Sequence, residues 1–156
     1  MERLQQYDVV VVGGGTAGVS AAVGAAKTGA KTLLIERNAY LGGEATNSGV
    51  SAFCGFYTCG ENPVRVVEGV GRLVLNEMEA LGPTVDYVIS ATGNRNINFQ
   101  PEYLKCAMDN LLEKERVDYL LHTSVIGADT ENGTITAIHC VDDEGTFTVA
   151  AKAFVD

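Results

Sequence analysis

Basic residues are scarce in this sequence. Its 156 residues include 11 lysines and arginines against 20 aspartates and glutamates, which gives a formal net charge of −9. An acidic surface repels the phosphates of nucleic acids and the headgroups of anionic lipids. The composition therefore argues against nucleic acid and membrane surfaces as partners, and it favours a small-molecule substrate.

Signals for export and for disorder are also missing. Residues 1–8 contain Glu2 and Asp8 with a single arginine, so the nearly uncharged run 9–26 lacks the positive flank of a signal peptide. Internal repeats and low-complexity linkers are absent, and 46% hydrophobic with 20% charged residues is the balance of a globular domain. We therefore expect a cytoplasmic globular protein.

The cysteines do not form a metal-binding pattern. The sequence has no C-x-x-C motif and no cysteine–histidine cluster, so no metal site is expected. In a chain without an export signal, free thiols are expected rather than a disulfide framework. The four cysteines are Cys54, Cys59, Cys106 and Cys140.

The N-terminal segment has the pattern of one βαβ unit. The apolar run 7–12 and the segment Thr32–Ile35 are typical of strands buried in a parallel sheet. The small-residue segment 16–28 between them predicts a helix that stops at Gly29. A G-x-G-x-x-G pattern lies where the first strand meets the helix, which is the context of a dinucleotide-binding fingerprint.

Each glycine of this fingerprint has a separate physical task. Gly13 permits a tight turn, Gly15 lets the backbone approach a pyrophosphate, and Gly18 lets the helix pack close to the strand. Backbone amides at the start of the helix point at the anion, and the helix dipole attracts it. The cofactor-binding residues predicted from this loop are Gly13, Gly14, Gly15, Thr16, Ala17 and Gly18.

Glu36 follows the second strand at the position from which a carboxylate accepts hydrogen bonds from the ribose hydroxyls of an adenosine. The same charge repels a 2′-phosphate, which disfavours NADP. The fingerprint alone serves both FAD and NAD, so the choice between them depends on the residues that follow.

Downstream of this unit the pattern becomes irregular and then alternates between helices and strands. It predicts, in order, loops at 38–62, a helix from Asn62-Pro63 to Leu81, an extended piece at 87–90, a polar stretch at 93–100, a helix from Pro101, a strand at 117–122, a meander with strands at 123–128, 134–141 and 146–150, and a separate strand at 152–156.

The segment 36–46 resembles the pattern E-R-x-x-x-x-G-G-x-x-T of FAD enzymes with a glutathione-reductase-like binding fold, in the broad group of FAD-dependent oxidoreductases. The resemblance implies FAD as the cofactor. It also implies an α/β, Rossmann-like three-layer FAD-binding domain with a parallel sheet and a β-meander. The further cofactor contacts that it implies are Arg37, Gly42, Gly43, Thr46 and, through its backbone at the adenine, Val125.

Members of this family continue beyond a strand like 153–156 into further segments that contact the flavin. The resemblance therefore implies a truncated domain, with 1–46 and 99–156 in the FAD-binding part and 47–98 as an inserted element near the flavin. We expect such a chain to bind ADP and FAD with similarly weak affinities. The apolar surface left uncovered is expected to favour self-association.

Few residues are candidates for catalysis. Cys54 and Cys59 have the C-x4-C spacing of the redox disulfide in flavin disulfide reductases, but ten residues, 44–53, separate them from the glycine doublet. Packing of two small residues in an aromatic loop is the alternative. His122 and His139 lack acidic neighbours at a useful spacing and are interpreted as structural. Two arginines, Arg65 and Arg95, are candidates for binding a substrate carboxylate or are solvated surface residues.

The function predicted is that of an FAD-dependent oxidoreductase, which transfers hydride or electrons between a small-molecule substrate and an acceptor through the flavin. A thiol–disulfide oxidoreductase that uses Cys54 and Cys59 is one alternative. A non-catalytic dinucleotide-binding module is another.

Overall fold

A computed structural model describes residues 5–83 and 85–156; residues 1–4, the start of the predicted N-terminal segment, lie outside the described residues. The elements of the described part are, in chain order, β1 (Gln5–Val12), α1 (Thr16–Lys27), β2 (Thr32–Ile35), α2 (Glu44–Asn47), β3 (Ala52–Phe53), α3 (Val70–Ala80), β4 (Val85–Ile89), β5 (Arg95–Phe99), α4 (Pro101–Lys114), β6 (Asp118–Leu120), β7 (Ser124–Glu131), β8 (Thr134–Asp142) and β9 (Gly145–Val155).

Internal contacts divide the chain into two units. The first contains residues 5–41 together with Leu112–Asp156, and the second is Gly42–Leu111. The helix α4 crosses the limit between them along the chain. The division into 1–46 with 99–156 and 47–98 stays a prediction.

The first unit begins with the predicted βαβ arrangement. β1 and β2 pair in parallel, with Val9 opposite Thr32 and Val12 opposite Ile35. α1 packs on both strands and buries three small apolar residues, Val19, Ala22 and Val23. It ends where Gly29 takes a φ of +89°, a conformation that glycine adopts without strain. The predicted strand–helix–strand unit is confirmed.

A mixed sheet of six strands runs through this unit in the order β6-β2-β1-β9-β8-β7. β9 joins its parallel and antiparallel parts. Thr146 to Ala150 pair antiparallel with β8, while Val149 to Val155 pair parallel with β1. The α/β class, the parallel strands and the meander are confirmed.

The prediction of two strands at 146–150 and 152–156 is wrong. No glycine or proline interrupts the segment after Gly145, so the backbone continues as one extended strand of 11 residues. Phe147 and Val149 on β9 pack with Ile138 and Cys140 on β8 in the core of this unit. The predicted turn between β7 and β8 is confirmed, with φ of +51° at Asn132 and +78° at Gly133.

The second unit contains a three-stranded antiparallel sheet in the order β3-β5-β4, and its core includes Phe56, Leu75 and Ile97. The polar stretch 93–100 holds a strand that the sequence pattern did not predict, in which Ile97 and Phe99 alternate toward the core. The region 38–62 also contains the short elements α2 and β3.

The helix predicted from Asn62-Pro63 begins at Val70 instead. Residues 64–67 pair with a neighbouring segment, because the amide of Thr58 donates to the carbonyl of Val64 at 2.8 Å and the amide of Val66 donates to the carbonyl of Phe56 at 2.8 Å. These bonds hold the segment extended. Gly69, with a φ of +66°, then precedes the helix.

α4 begins at Pro101 as predicted, and its apolar stripe is buried at Leu104, Ala107, Met108, Leu111 and Leu112. β6 is shorter than the predicted strand 117–122, since His122 takes a φ of +52° and leaves the extended conformation. Within residues 5–83 and 85–156, no helix has both the length and the apolar character needed to cross a membrane.

Candidate functional site

The loop after β1 makes a tight turn toward β2. Gly13 has a φ of +99°, and its amide donates a hydrogen bond to the carbonyl of Ile35 at 2.7 Å. A residue with a side chain is strained in this backbone conformation. Gly13 therefore fixes the path by which the chain leaves the sheet and enters α1.

Gly18 and Gly15 lack side chains for different reasons. A Cβ at Gly18 would overlap the carbonyl oxygen of Gly13, so the protein itself requires glycine there. A Cβ at Gly15 would meet nothing within 4 Å, and its φ of −66° and ψ of 177° suit most residues. The fold does not require glycine at position 15, and the space beside it is open to a ligand.

The start of α1 presents donors beside that space. Gly15 is the N-cap, no described side chain caps this helix end, and the first helical bond runs from the amide of Val19 to the carbonyl of Gly15 at 2.9 Å. The amides before Val19, including those of Thr16, Ala17 and Gly18, have no partner within the helix. Such a helix start attracts an anion.

Glu36 is buried, with 6% of its surface exposed, and its carboxylate joins two loops. Oε2 accepts a hydrogen bond from the amide of Gly14 at 2.6 Å, and Oε1 accepts from the amide of Asn38 at 2.7 Å and from its Nδ2 at 2.6 Å. A carboxylate has about four acceptor positions. Glu36 thus holds the glycine loop in place and keeps acceptor capacity for a ligand hydroxyl.

Asn38 and Leu41 were not predicted as part of the site. Asn38 orients the Glu36 carboxylate, and a Cβ at Gly14 would come within 2.6 Å of Leu41 Cδ2 and 2.9 Å of Glu36 Cβ. Gly14 is therefore glycine because Leu41 and Glu36 pack against it. Of these features, only an asparagine two residues after the glutamate is visible in the sequence.

Backbone hydrogen bonds tie the Glu36 segment to the chain that leads into β7. The amide of Glu36 donates to Leu120 O at 2.8 Å, and Thr123 and His122 donate to Glu36 O and Asn38 O at 3.0 and 3.1 Å. Two residues further, Val125 lies on an edge strand of the six-stranded sheet. It lines a largely apolar cavity of about 350 Å³ with Val12, Ala128, Ile135, Ile138, Phe154, Val155 and Asp156.

The predicted cofactor residues are distributed over both units. The first unit holds residues 13–18, Glu36, Val125 and the exposed Arg37. Gly42, Gly43 and Thr46 lie in the second, where the doublet leads into α2 with φ of +108° and +54°. A Cβ at Gly42 would overlap the buried Thr46 side chain, whose hydroxyl donates to Gly43 O at 3.3 Å. Contact of the doublet, Thr46 and Arg37 with a cofactor stays a prediction.

His139 has an acidic neighbour, so the prediction that it lacks one is wrong. Its Nε2 lies 3.0 Å from Asp129 Oδ1, and its Nδ1 lies 3.3 Å from Thr148 Oγ1. Strand pairing creates these contacts, because β8 lies between β7 and β9. The contacts link the three strands of the meander, which agrees with a structural role for His139.

Cys54 and Cys59 are free, exposed thiols, and the Cys59 thiol donates a hydrogen bond to Asn94 Oδ1 at 2.9 Å. Cys106 is exposed as well, whereas Cys140 is buried in the sheet. Burial, reinforced by the charge of Asp142, raises the pKa of Cys140 to about 11. Redox activity of the pair stays an alternative without a supporting contact.

These exposures predict the pattern of thiol alkylation. Iodoacetamide at pH 8 is expected to label Cys54, Cys59 and Cys106 in the native protein and to spare Cys140, since the thiolate is the reactive form and burial suppresses it. Peptide mass spectrometry measures the labelling, and a urea-unfolded sample in which all four react is the control. A disulfide that joins Cys54 to Cys59 in the native sample would contradict the prediction.

Comparisons with known proteins agree on one family. Residues 8–156 match the family model described as FAD dependent oxidoreductase. A digeranylgeranylglycerophospholipid reductase from Methanospirillum hungatei is 30% identical over 125 residues, which are 80% of this chain and 26% of that protein. A glutathione reductase from Yarrowia lipolytica is 53% identical over 49 residues, 31% of this chain and 10% of that protein.

Solved structures show the same fold. Mycobacterium smegmatis Sdh1 in complex with UQ1 gives a TM-score of 0.67 at 17% identity, over 99% of this chain and 34% of that one. A geranylgeranyl bacteriochlorophyll reductase-like protein from Thermoplasma acidophilum gives 0.64 at 22% identity, over 97% and 39%. The first six curated relatives are longer proteins, of which this chain spans 9% to 26%.

Proposed function

The chain belongs to the FAD dependent oxidoreductase family, and we propose that residues 13–18 and Glu36 bind the ADP half of FAD in an enzyme that oxidises or reduces a small molecule. The contrast between Gly15 and Gly18 carries the proposal. The fold requires glycine at position 18, whereas glycine at position 15 leaves open space beside the helix start. When bound, the flavin supplies the redox chemistry, and the residues of this chain bind and orient it.

The pyrophosphate is assigned to the start of α1. The amides of Gly13 and Gly14 are already bonded to Ile35 and to Glu36, so they hold the loop rather than the ligand. The amides from Gly15 to Gly18 remain for the phosphate oxygens. A chain with net charge −9 offers few other places for a dianion, and the helix dipole adds local attraction.

The adenosine is assigned to Glu36 and Val125. A ribose hydroxyl donates to the Glu36 carboxylate, and the negative charge disfavours a 2′-phosphate at the same position. The backbone of Val125 contacts the adenine, next to the apolar cavity that its side chain lines. Arg37, Gly42, Gly43 and Thr46 complete the proposed cofactor contacts, and the substrate and the acceptor belong to the small molecules.

Thiol–disulfide exchange at Cys54 and Cys59 is not the favoured activity. The relatives that match are flavin reductases and dehydrogenases of several kinds, and the match to glutathione reductase covers 49 residues. The Cys59 thiol is engaged with Asn94. No contact in the described residues points the pair toward a common reaction.

Replacing Glu36 with glutamine is expected to weaken ADP binding by about tenfold to a hundredfold, because charge-assisted hydrogen bonds contribute roughly 1.5–3 kcal/mol. Asn38→Ala removes two of the bonds that orient the carboxylate only in part, since the backbone amide remains, and should weaken ADP binding less than Glu36→Gln does. Isothermal titration calorimetry with ADP measures both effects.

Glu131→Gln is the matched control, because Glu131 is an exposed glutamate in the turn after β7. It removes the same charge and should leave ADP affinity unchanged. Thermal unfolding of each variant separates loss of binding from loss of fold. A folded Glu36→Gln protein with wild-type ADP affinity would show that the ribose does not contact Glu36.

A further inference from the structure

Arg95 lies between two tyrosine rings in the unit Gly42–Leu111. Its Cζ is 4.8 Å from the ring centroid of Tyr57 and 5.3 Å from that of Tyr87. The two rings meet edge to face, with centroids 6.2 Å apart. Strand pairing explains part of this cluster, because Tyr87 opposes Ile97 on β5, two residues from Arg95, and diagonal neighbours share one face of a sheet.

The guanidinium of Arg95 has no carboxylate partner among residues 5–83 and 85–156, and its buried Nε lacks a hydrogen-bond acceptor there. Two other arginines of the same unit are paired. Arg65 contacts Glu68 through Nη2 at 2.6 Å and through Nε at 2.7 Å, and Arg72 contacts Glu79 at 3.5 Å.

An unpaired, partly buried cation is unusual in a chain with 20 acidic and 11 basic residues. Burial of a charge without a counter-ion is unfavourable. The aromatic faces offset part of that cost, since a cation over a tyrosine ring is stabilised by roughly 0.5–2 kcal/mol. The stacked rings also hold the guanidinium in a fixed orientation before any anion arrives.

We propose that Arg95, held by Tyr57 and Tyr87, is the binding site for the carboxylate group of a small molecule. The planar guanidinium matches a carboxylate in a bidentate arrangement, and the aromatic rings strengthen the ion pair by excluding water. As an assignment of substrate class, this inference rests on the proposed function; as an anion site, it stands on the second unit alone.

The charges around the cluster favour a monoanion over a phosphate dianion. Arg95 supplies one positive charge. The Tyr87 hydroxyl donates to Glu79 Oε1 at 2.7 Å, so a carboxylate lies beside the cluster, and Arg72 offsets only that charge. Burial and the bond to Glu79 raise the pKa of Tyr87 to about 12, so this tyrosine stays neutral at physiological pH. A second negative charge on the ligand would be unmatched.

The test is an NMR titration of the full chain with propionate, its neutral amide propionamide, and inorganic phosphate. Propionate is expected to shift the side-chain Nε–H signal of Arg95 with saturation. Propionamide should produce no saturable shift, and phosphate should bind at least about fivefold more weakly. The variant Arg95→Gln should abolish the propionate response, whereas Arg65→Gln should keep it, because Arg65 already pairs with Glu68.

Arg95→Lys provides a second variant that keeps the charge without the planar fork, and it should bind propionate more weakly than the wild type. Equal responses to propionate and propionamide, tighter binding of phosphate, or a saturable propionate response in Arg95→Gln would each overturn the proposal. An ADP titration of the same samples tests the nucleotide site separately, so a failure at Arg95 is distinguishable from a failure of the proposed function.

Discussion

Replacing Gly15 with valine is expected to abolish ADP and FAD binding while the fold persists. The backbone at position 15 has ordinary dihedral angles, and nothing within 4 Å obstructs a Cβ. Valine is a poorer N-cap than glycine, so a stability loss of about 1 kcal/mol is expected. Its branched side chain fills the space beside the helix-start amides, where the pyrophosphate must approach.

Calorimetry with ADP and circular dichroism on the same samples measure the two halves of this prediction. An ADP affinity at least about a hundredfold weaker, with an unchanged spectrum, is the expected result, since removal of several charge-assisted bonds together exceeds about 2.7 kcal/mol. Gly24→Val is the matched control, because it adds the same side chain to α1 at another open position. Normal ADP binding by folded Gly15→Val would place the pyrophosphate elsewhere.

Local signals explain why the βαβ unit and α4 could be predicted from the sequence. The glycine loop, the stop at Gly29 and the proline at the start of α4 each act on the neighbouring backbone alone. The start of α3 could not be predicted in this way. Pro63 favours a helix start, but hydrogen bonds to Phe56 and Thr58 hold the following residues extended, and such pairing depends on partners distant in the sequence.

The same distinction separates the predicted site from its missed members. The roles of Gly13 and Gly18 follow from the fingerprint, and the structure shows the turn and the close approach that they permit. The contact of Asp129 with His139 depends instead on strand register, which shifts between Val125 and Gly127 and again between Asp129 and Thr130. Irregularities of this kind leave no simple spacing in the sequence.

The choice of cofactor could be made from residues beyond the fingerprint. A glycine loop and an acidic residue after the second strand are compatible with both NAD and FAD. The segment 36–46, with its glycine doublet and Thr46, favoured FAD, and the match of residues 8–156 to the FAD dependent oxidoreductase family confirms that choice. The substrate leaves no comparable motif, because the residues near Arg95 are brought together only by the sheet of the second unit.

Replacing Gly18 with alanine is expected to destabilise the fold itself. The added methyl group would overlap the carbonyl oxygen of Gly13, and backbone on both sides leaves it no room to move. Relief requires α1 to shift away from the sheet, which loosens the packing of Val19, Ala22 and Val23. Overpacking of this kind typically costs about 1–3 kcal/mol, and a clash with backbone belongs at the upper end.

Urea denaturation measures the change, with Gly24→Ala as the control of opposite sign. Alanine at position 24 meets no atom within 4 Å and should raise the free energy of unfolding by up to about 1 kcal/mol, since glycine is unfavourable inside a helix. ADP binding by Gly18→Ala should fall together with its folded fraction, unlike that of Gly15→Val, which falls in folded protein. A Gly18→Ala protein as stable as the wild type would mean that α1 can move without loss, and glycine at position 18 would then serve the ligand rather than the fold.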